Sequence, residues 1–293
     1  MTSGSRRFCF VQFEFPWLIG PEPGTYSIRE RLGEPPAHIL VLATLGAVQR
    51  RLLAGRRRAR EAPPEPPPQP VPTTRATLVD TGGLDGGDTA ARWLRDADLA
   101  ELAQDALARL NRVLHAHRLA VADPYAREVA LEQSLITRVG YGEGERVAAG
   151  RWERAQELAP ASPAGGRLPT AGRTAALRPQ ERLAALLSGR DVALACEELA
   201  LRTRADLDAG RSREAALQLR VAFEAALAEL EPWREQAGLA ARLERLRKRR
   251  DAVGSVANAA LRGGLEPEHV EVVTAVLGAV EAALRARTAG GLS

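Results

Sequence analysis

Residues 7 to 14, "RFCFVQFE", alternate aromatic or apolar side chains with polar ones, and "TYSIR" (25 to 29) repeats the alternation after the turn residues "GPEPG". Both predict strands. "HILVLATL" (38 to 45) is continuously apolar and suits a buried central strand, and "TRATLVD" (74 to 80) supplies a fourth. From residue 88 the period lengthens. Leu99, Leu102, Ala106, Leu110, Val113, Leu114 and His117 recur at three- and four-residue spacing behind Asp98, which predicts a helix with Asp98 as its N-cap. Asp123-Pro124 predicts a further helix to about Arg138, and a short one follows near 144 to 158.

The stretch 159 to 177, "APASPAGGRLPTAGRTA" and its flank, buries too little apolar area to offset the entropy of ordering, and reads as a flexible linker. Beyond it the pattern is wholly helical, with five helices expected near 179 to 188, 190 to 209, 212 to 230, 233 to 262 and 267 to 287. Apolar positions encircle most of the third, which places it at the centre. The last carries a narrower stripe (Val273, Leu277, Val280, Leu284) and is expected on an outer side. The fold class is therefore α+β: residues 1 to 158 form a small sheet of about four strands with helices, and 178 to 293 an all-α bundle. An Arg- and Pro-rich excursion interrupts the first domain at about 47 to 73.

Composition changes this picture little. The 293 residues carry a net charge of only +4, and a single lysine, Lys248, stands among the basic residues. Any basic surface must therefore be local. Two distant cysteines, Cys9 and Cys196, give neither a disulfide framework nor a zinc spacing. Gln12 and Glu14 break any signal-peptide core, and 38 to 48 is about half the length of a membrane span, so a cytoplasmic location is expected.

"LVDTGGLDGGDTAARWL" (78 to 94) concentrates the candidate chemistry. Gly82, Gly87, Asp88 and Thr89 match the phosphate-loop pattern except that Asp88 stands where lysine is required, which turns attraction for phosphate into repulsion. "LVDTGG" resembles the active-site segment of retropepsin-like aspartic proteases. That resemblance implies a catalytic Asp80 sharing a proton with a second aspartate, on a fold that continues through further strands, whereas this chain enters a helix within ten residues. Asp80, Asp85 and Asp88 form an alternative set of hard-cation ligands. The expectation carried forward is plainer: glycines and aspartates turn the chain, and Asp88 caps the next helix.

Arg112 and His117 have the loose R-x4-6-H spacing that resembles HEPN ribonucleases, which implies RNA cleavage by a dimer; five residues of helix, however, swing the two side chains apart by about 140°. Residues 206 to 232 resemble part of a tetratricopeptide unit, implying an antiparallel helical hairpin. Of two basic runs, 50 to 60 is the candidate phosphate-contacting patch, through Arg50, Arg51, Arg56, Arg57, Arg58 and Arg60, while 242 to 250 mixes acids with its arginines. No catalytic, cofactor or metal residues are assigned. The expected function is a non-enzymatic interaction or scaffold protein acting through its bundle, with a protein partner or a second copy of itself; an RNA- or DNA-associated protein and a hydrolase or nuclease are the alternatives.

Overall fold

Ten consecutive residues, Arg6–Phe15, form the long central strand β1, whose alternation sends Val11, Phe13 and Phe15 to one face and Phe10, Gln12 and Glu14 to the other. The computed structural model describes residues 6–31, 33–46, 71–159, 170–236 and 238–289. Contacts divide the chain into two units, Met1–Ala164 and Gly165–Ser293.

In the first unit, β1 pairs antiparallel with β4 (Thr73–Asp80) on one side and β6 (Ile136–Gly142) on the other. The sheet extends outward through β3 (His38–Leu45) to β2 (Gly24–Ile28), and through β6 to β7 (Arg154–Leu158). The two-residue β5 (Leu84–Asp85) pairs with the start of β1. Helices α1 (Gly87–Asp96) and α2 (Leu99–Val121) cover one face. There Val11, Phe13, Phe15, Leu40, Leu42, Leu78 and Val139 pack against Leu94, Ala103, Leu110 and Leu114. Each of the larger ones, the Val, Leu and Phe side chains, contributes roughly 1.5–3 kcal/mol on leaving water. On the opposite face Phe10 and Val79 lie under Val147 and Trp152, and Glu14 is shared by Arg75 (2.9 Å) and Arg138 (3.1 Å).

The mixed architecture, sheet first and helices after, is the one the sequence predicts; the strand count is not. The helix expected from Asp123 to Arg138 is instead an extended segment leading through a 3-10 turn (Leu131–Gln133) into β6, and the one expected near 144 to 158 is a 3-10 turn (Gly144–Val147) followed by β7. The cause is tertiary. Asn111 of α2 donates to the Val129 carbonyl and accepts from its N–H, both at 2.9 Å, which holds the segment extended. Gly140 and Gly142 lie within β6: a Cβ at Gly140 would collide with the Arg154 carbonyl of β7.

In the second unit α3 (Thr170–Leu187) starts well upstream of Pro179. α4 (Ala195–Asp208) and α5 (Ser212–Glu229) make an antiparallel hairpin through Gly210, whose φ of 73° suits the turn. α5 is central as expected, burying Ala215, Leu219, Ala222, Phe223 and Ala226 against α4, α6 (Leu239–Arg247), α7 (Arg250–Arg262) and α8 (Pro267–Ala289). Two expectations fail. The single helix expected over 233 to 262 is broken into a 3-10 turn, α6 and α7, with the Arg249 N–H closing a tight turn on the Leu246 carbonyl at 2.8 Å. α8 is not peripheral: it packs on α4, α5, α6 and α7. No helix among the described residues is long and apolar enough to cross a membrane.

Candidate functional site

The glycine-rich segment is a corner. Asp80 accepts the Gly82 N–H at 2.7 Å, the Gly82 carbonyl accepts from Arg6 at 2.8 Å, and Gly83 and Gly86 take φ of 62° and 78°. Asp85 pairs with Arg6 in the β5 ladder. Asp88 does not cap: Gly86 occupies the N-cap of α1, and Asp88 lies in the first turn, where its charge still favours the helix dipole. Among the described residues no three His, Cys, Asp or Glu side chains are grouped to hold a metal ion, so Asp80, Asp85 and Asp88 are not brought together for one.

The other sequence candidates are likewise taken up by structure. Arg112 is bidentate on Glu30, with contacts of 3.3 Å, while His117 is half-buried beside Gly20. In the run 242 to 250, Arg247 pairs with Glu231 and Glu244, Arg250 pairs with Glu224, and Arg242 and Arg245 hydrogen-bond to the carbonyls of Gly238 and Ala241. Arg50, Arg51, Arg56, Arg57, Arg58 and Arg60 lie outside the described residues.

What the sequence did not expose is a row of functional groups across one end of the sheet. His38 of β3 stands directly opposite Asp80 of β4. Asp80 is one step beyond Val79, the partner of Phe10, so it lies level with Cys9, and Cys9 in turn faces Tyr141 of β6. All four belong to the helix-covered face. Here α1 and α2 leave a cleft of about 180 Å³, walled by Cys9, His38, Leu78 and Asp80 from the sheet and by Trp93, Leu102, Asp105 and Arg109 from the helices. One water needs only about 10–15 Å³ measured in this way, so the space admits a small molecule.

The electrostatics of the cleft are specific. Burial, then the positive charge of Arg109, lowers the His38 pKa against the opposing pull of Asp80 and Glu30, so the imidazole is neutral near pH 7. Burial, then Asp80, pushes the Cys9 thiol up to about 12. Such a thiol is no ready nucleophile. His38 Nδ1 and Arg109 Nε are both buried and have no hydrogen-bond partner among the described residues. The carboxylates nearest Arg109 stand off, Glu30 at 3.6 Å and Asp105 at 3.7 Å.

The chain matches no protein-family profile, no curated protein and no solved structure.

A signal for the cleft was present but divided: Cys9, His38, Asp80 and Arg109 are scattered over a hundred residues, and the antiparallel register brings the first three level while α2 carries Arg109 over them.

Proposed function

We propose that the N-terminal unit is a binding domain for a small polar molecule, received in the cleft between the sheet and α1 and α2. The observation that carries this reading is that His38 and Arg109 both line one cavity and each has a buried nitrogen, Nδ1 and Nε, without a hydrogen-bond partner among the described residues. Leaving such a group unsatisfied costs roughly 1–3 kcal/mol, and a ligand oxygen placed between them removes the cost twice. A fragment screen by ligand-observed NMR on the full chain tests the reading. Fragments bearing an oxygen acceptor should bind, and Arg109→Ala and His38→Ala should each abolish the signal while the circular dichroism stays unchanged. Fragments that bind wild type and both variants equally would place the site elsewhere.

A separate observation favours a second reading, in which the helical bundle is a scaffold that engages a second copy of this chain or another protein. Leu183 and Leu187, one turn apart on α3, are 49% and 81% exposed, and Val192 beyond the helix is 55% exposed. Three large apolar side chains at one end of a helix and the segment after it are the kind of surface that association covers. Light scattering over a concentration series should reveal self-association that Leu187→Glu abolishes. A monomer at every concentration removes the second copy as the occupant.

A further inference from the structure

The cleft is polarised. His38 and Arg109 in its lining each have a buried nitrogen without a hydrogen-bond partner among the described residues, and Asp80 and Asp105, both exposed, add two carboxylates. The same lining includes apolar surface, with Trp93 and Leu102 on the helix side and Leu78 on the sheet side. Each simple ligand class meets one half of this arrangement and conflicts with the other. A plain anion satisfies Arg109 but comes close to Asp80, Asp105 and the Glu30 that already flanks Arg109. A plain cation suits the carboxylates but leaves the buried nitrogens without an acceptor and approaches the guanidinium. An oxygen acceptor and a positive group on one short skeleton meet both.

Resting on the reading of the cleft as a ligand site, we propose that its occupant is a small zwitterion of the amino-acid type. Its carboxylate accepts hydrogen bonds from Arg109 Nε and from the Nδ1–H tautomer of His38. Its ammonium faces Asp80 and Asp105, and its side chain lies on Trp93 and Leu102. The residues that discriminate are then Arg109 for the carboxylate and Asp105 for the ammonium. Asp80 accepts the Gly82 N–H through one oxygen, which fixes its carboxylate at the edge of the sheet.

Calorimetric titration of the full chain with three probes sharing one isobutyl skeleton decides the matter: leucine, isocaproate and isoamylamine. Leucine should bind about tenfold or more tighter than either of the others, as expected for one charge-assisted hydrogen bond gained. Asp105→Asn should bring leucine to the level of isocaproate, and Arg109→Gln to that of isoamylamine. Isocaproate binding as well as leucine would overturn the zwitterion and leave the cleft as an anion site, and isoamylamine binding as well as leucine would make it an amine site. If none of the three binds while the fragment screen finds ligands dependent on Arg109, the class is wrong and the site stands. If both experiments are blank, the site itself is wrong.

Discussion

Arg287, a charged side chain only 5% exposed, donates to Asp191 at 2.6 Å and lies with its guanidinium 4.5 Å from the ring centre of Trp233. Arg182 completes the cluster by reaching Asp191 (3.4 Å) and Glu197 (2.5 Å), so two arginines and two carboxylates cancel within the bundle. The cluster ties α3, the segment before α4, and α8 together. Removing Asp191 leaves two guanidiniums, the nearly buried Arg287 at 3.5 Å and Arg182, to share the single carboxylate of Glu197, and Asp191→Ala should therefore cost about 3 kcal/mol. Arg287→Met should cost less, because Asp191 retains Arg182 and the Val192 N–H at 2.8 Å while the methionine still fills the space over Trp233. Urea unfolding of the full chain, followed by circular dichroism and tryptophan fluorescence, gives the order. Equal costs for the two variants would show that charge burial does not set the penalty.

The end of α5 caps the start of α4. Glu229 accepts the N–H of Cys196 at 2.9 Å and that of Ala195 at 3.3 Å, filling the role that a Ser or Asp N-cap fills elsewhere. Burial raises the Glu229 pKa, but the Cys196 N–H and thiol together with the Ala195 N–H outweigh it, and the carboxyl ends below its ordinary 4.5. The same contact, after burial, holds the Cys196 thiol up to about 12. Since the folded pKa is the lower one, the contribution is complete above about pH 4.5 and is lost as the pH falls through the folded value. Glu229→Ala should cost about 1 kcal/mol at neutral pH. The difference in unfolding free energy between wild type and variant should shrink on acidification, and a gap that is constant from neutral to acid pH would contradict the cap.

Gly140 is required by packing. Its absent Cβ would meet the Arg154 carbonyl and lie 2.8 Å from the Ala155 Cα, both of them backbone atoms of β7 that no rotamer change can move. Gly140→Ala should force β6 and β7 apart and cost about 1–3 kcal/mol. Gly264→Ala, with nothing within 4 Å of the new methyl, is the matched control and should be close to neutral. Thermal unfolding of the two variants makes the comparison.

These residues also show where sequence pattern carried information and where it did not. β1, β2, β3 and β4 were visible because alternation or continuous apolarity marks one buried face, and the Asp98 cap of α2 was visible because it is local: Asp98 accepts from Ala100 and Glu101 at 3.0 and 3.1 Å. β6 was hidden because its glycines serve a neighbouring strand and its flank is held by Asn111 from a distant helix. The break between α6 and α7 was hidden for the opposite reason. Leu239, Leu243, Leu246, Val253, Val256 and Ala260 keep helical spacing straight across it. The cleft was least legible, since no window of sequence contains both His38 and Arg109.

His38 gives the cleft a pH signature. Its folded pKa lies below the ordinary 6.5 because burial, then Arg109, outweighs Asp80 and Glu30. At a pH below about 6.5 the unfolded chain binds the proton first, so protonation favours unfolding. Stability from this residue is therefore fully present above that value and is lost as the pH falls towards the folded pKa. In His38→Gln this loss should be absent, and the wild-type minus variant free energy should be flat above about pH 6.5 and decline as the pH falls below it. The ring protons of His38 followed by NMR should titrate with a midpoint below 6.5, and Arg109→Gln, by removing the positive neighbour, should move that midpoint upward. A midpoint at or above 6.5 in the wild type would mean that the imidazole is solvated, and that its Nδ1 is not the unsatisfied nitrogen on which the ligand site depends.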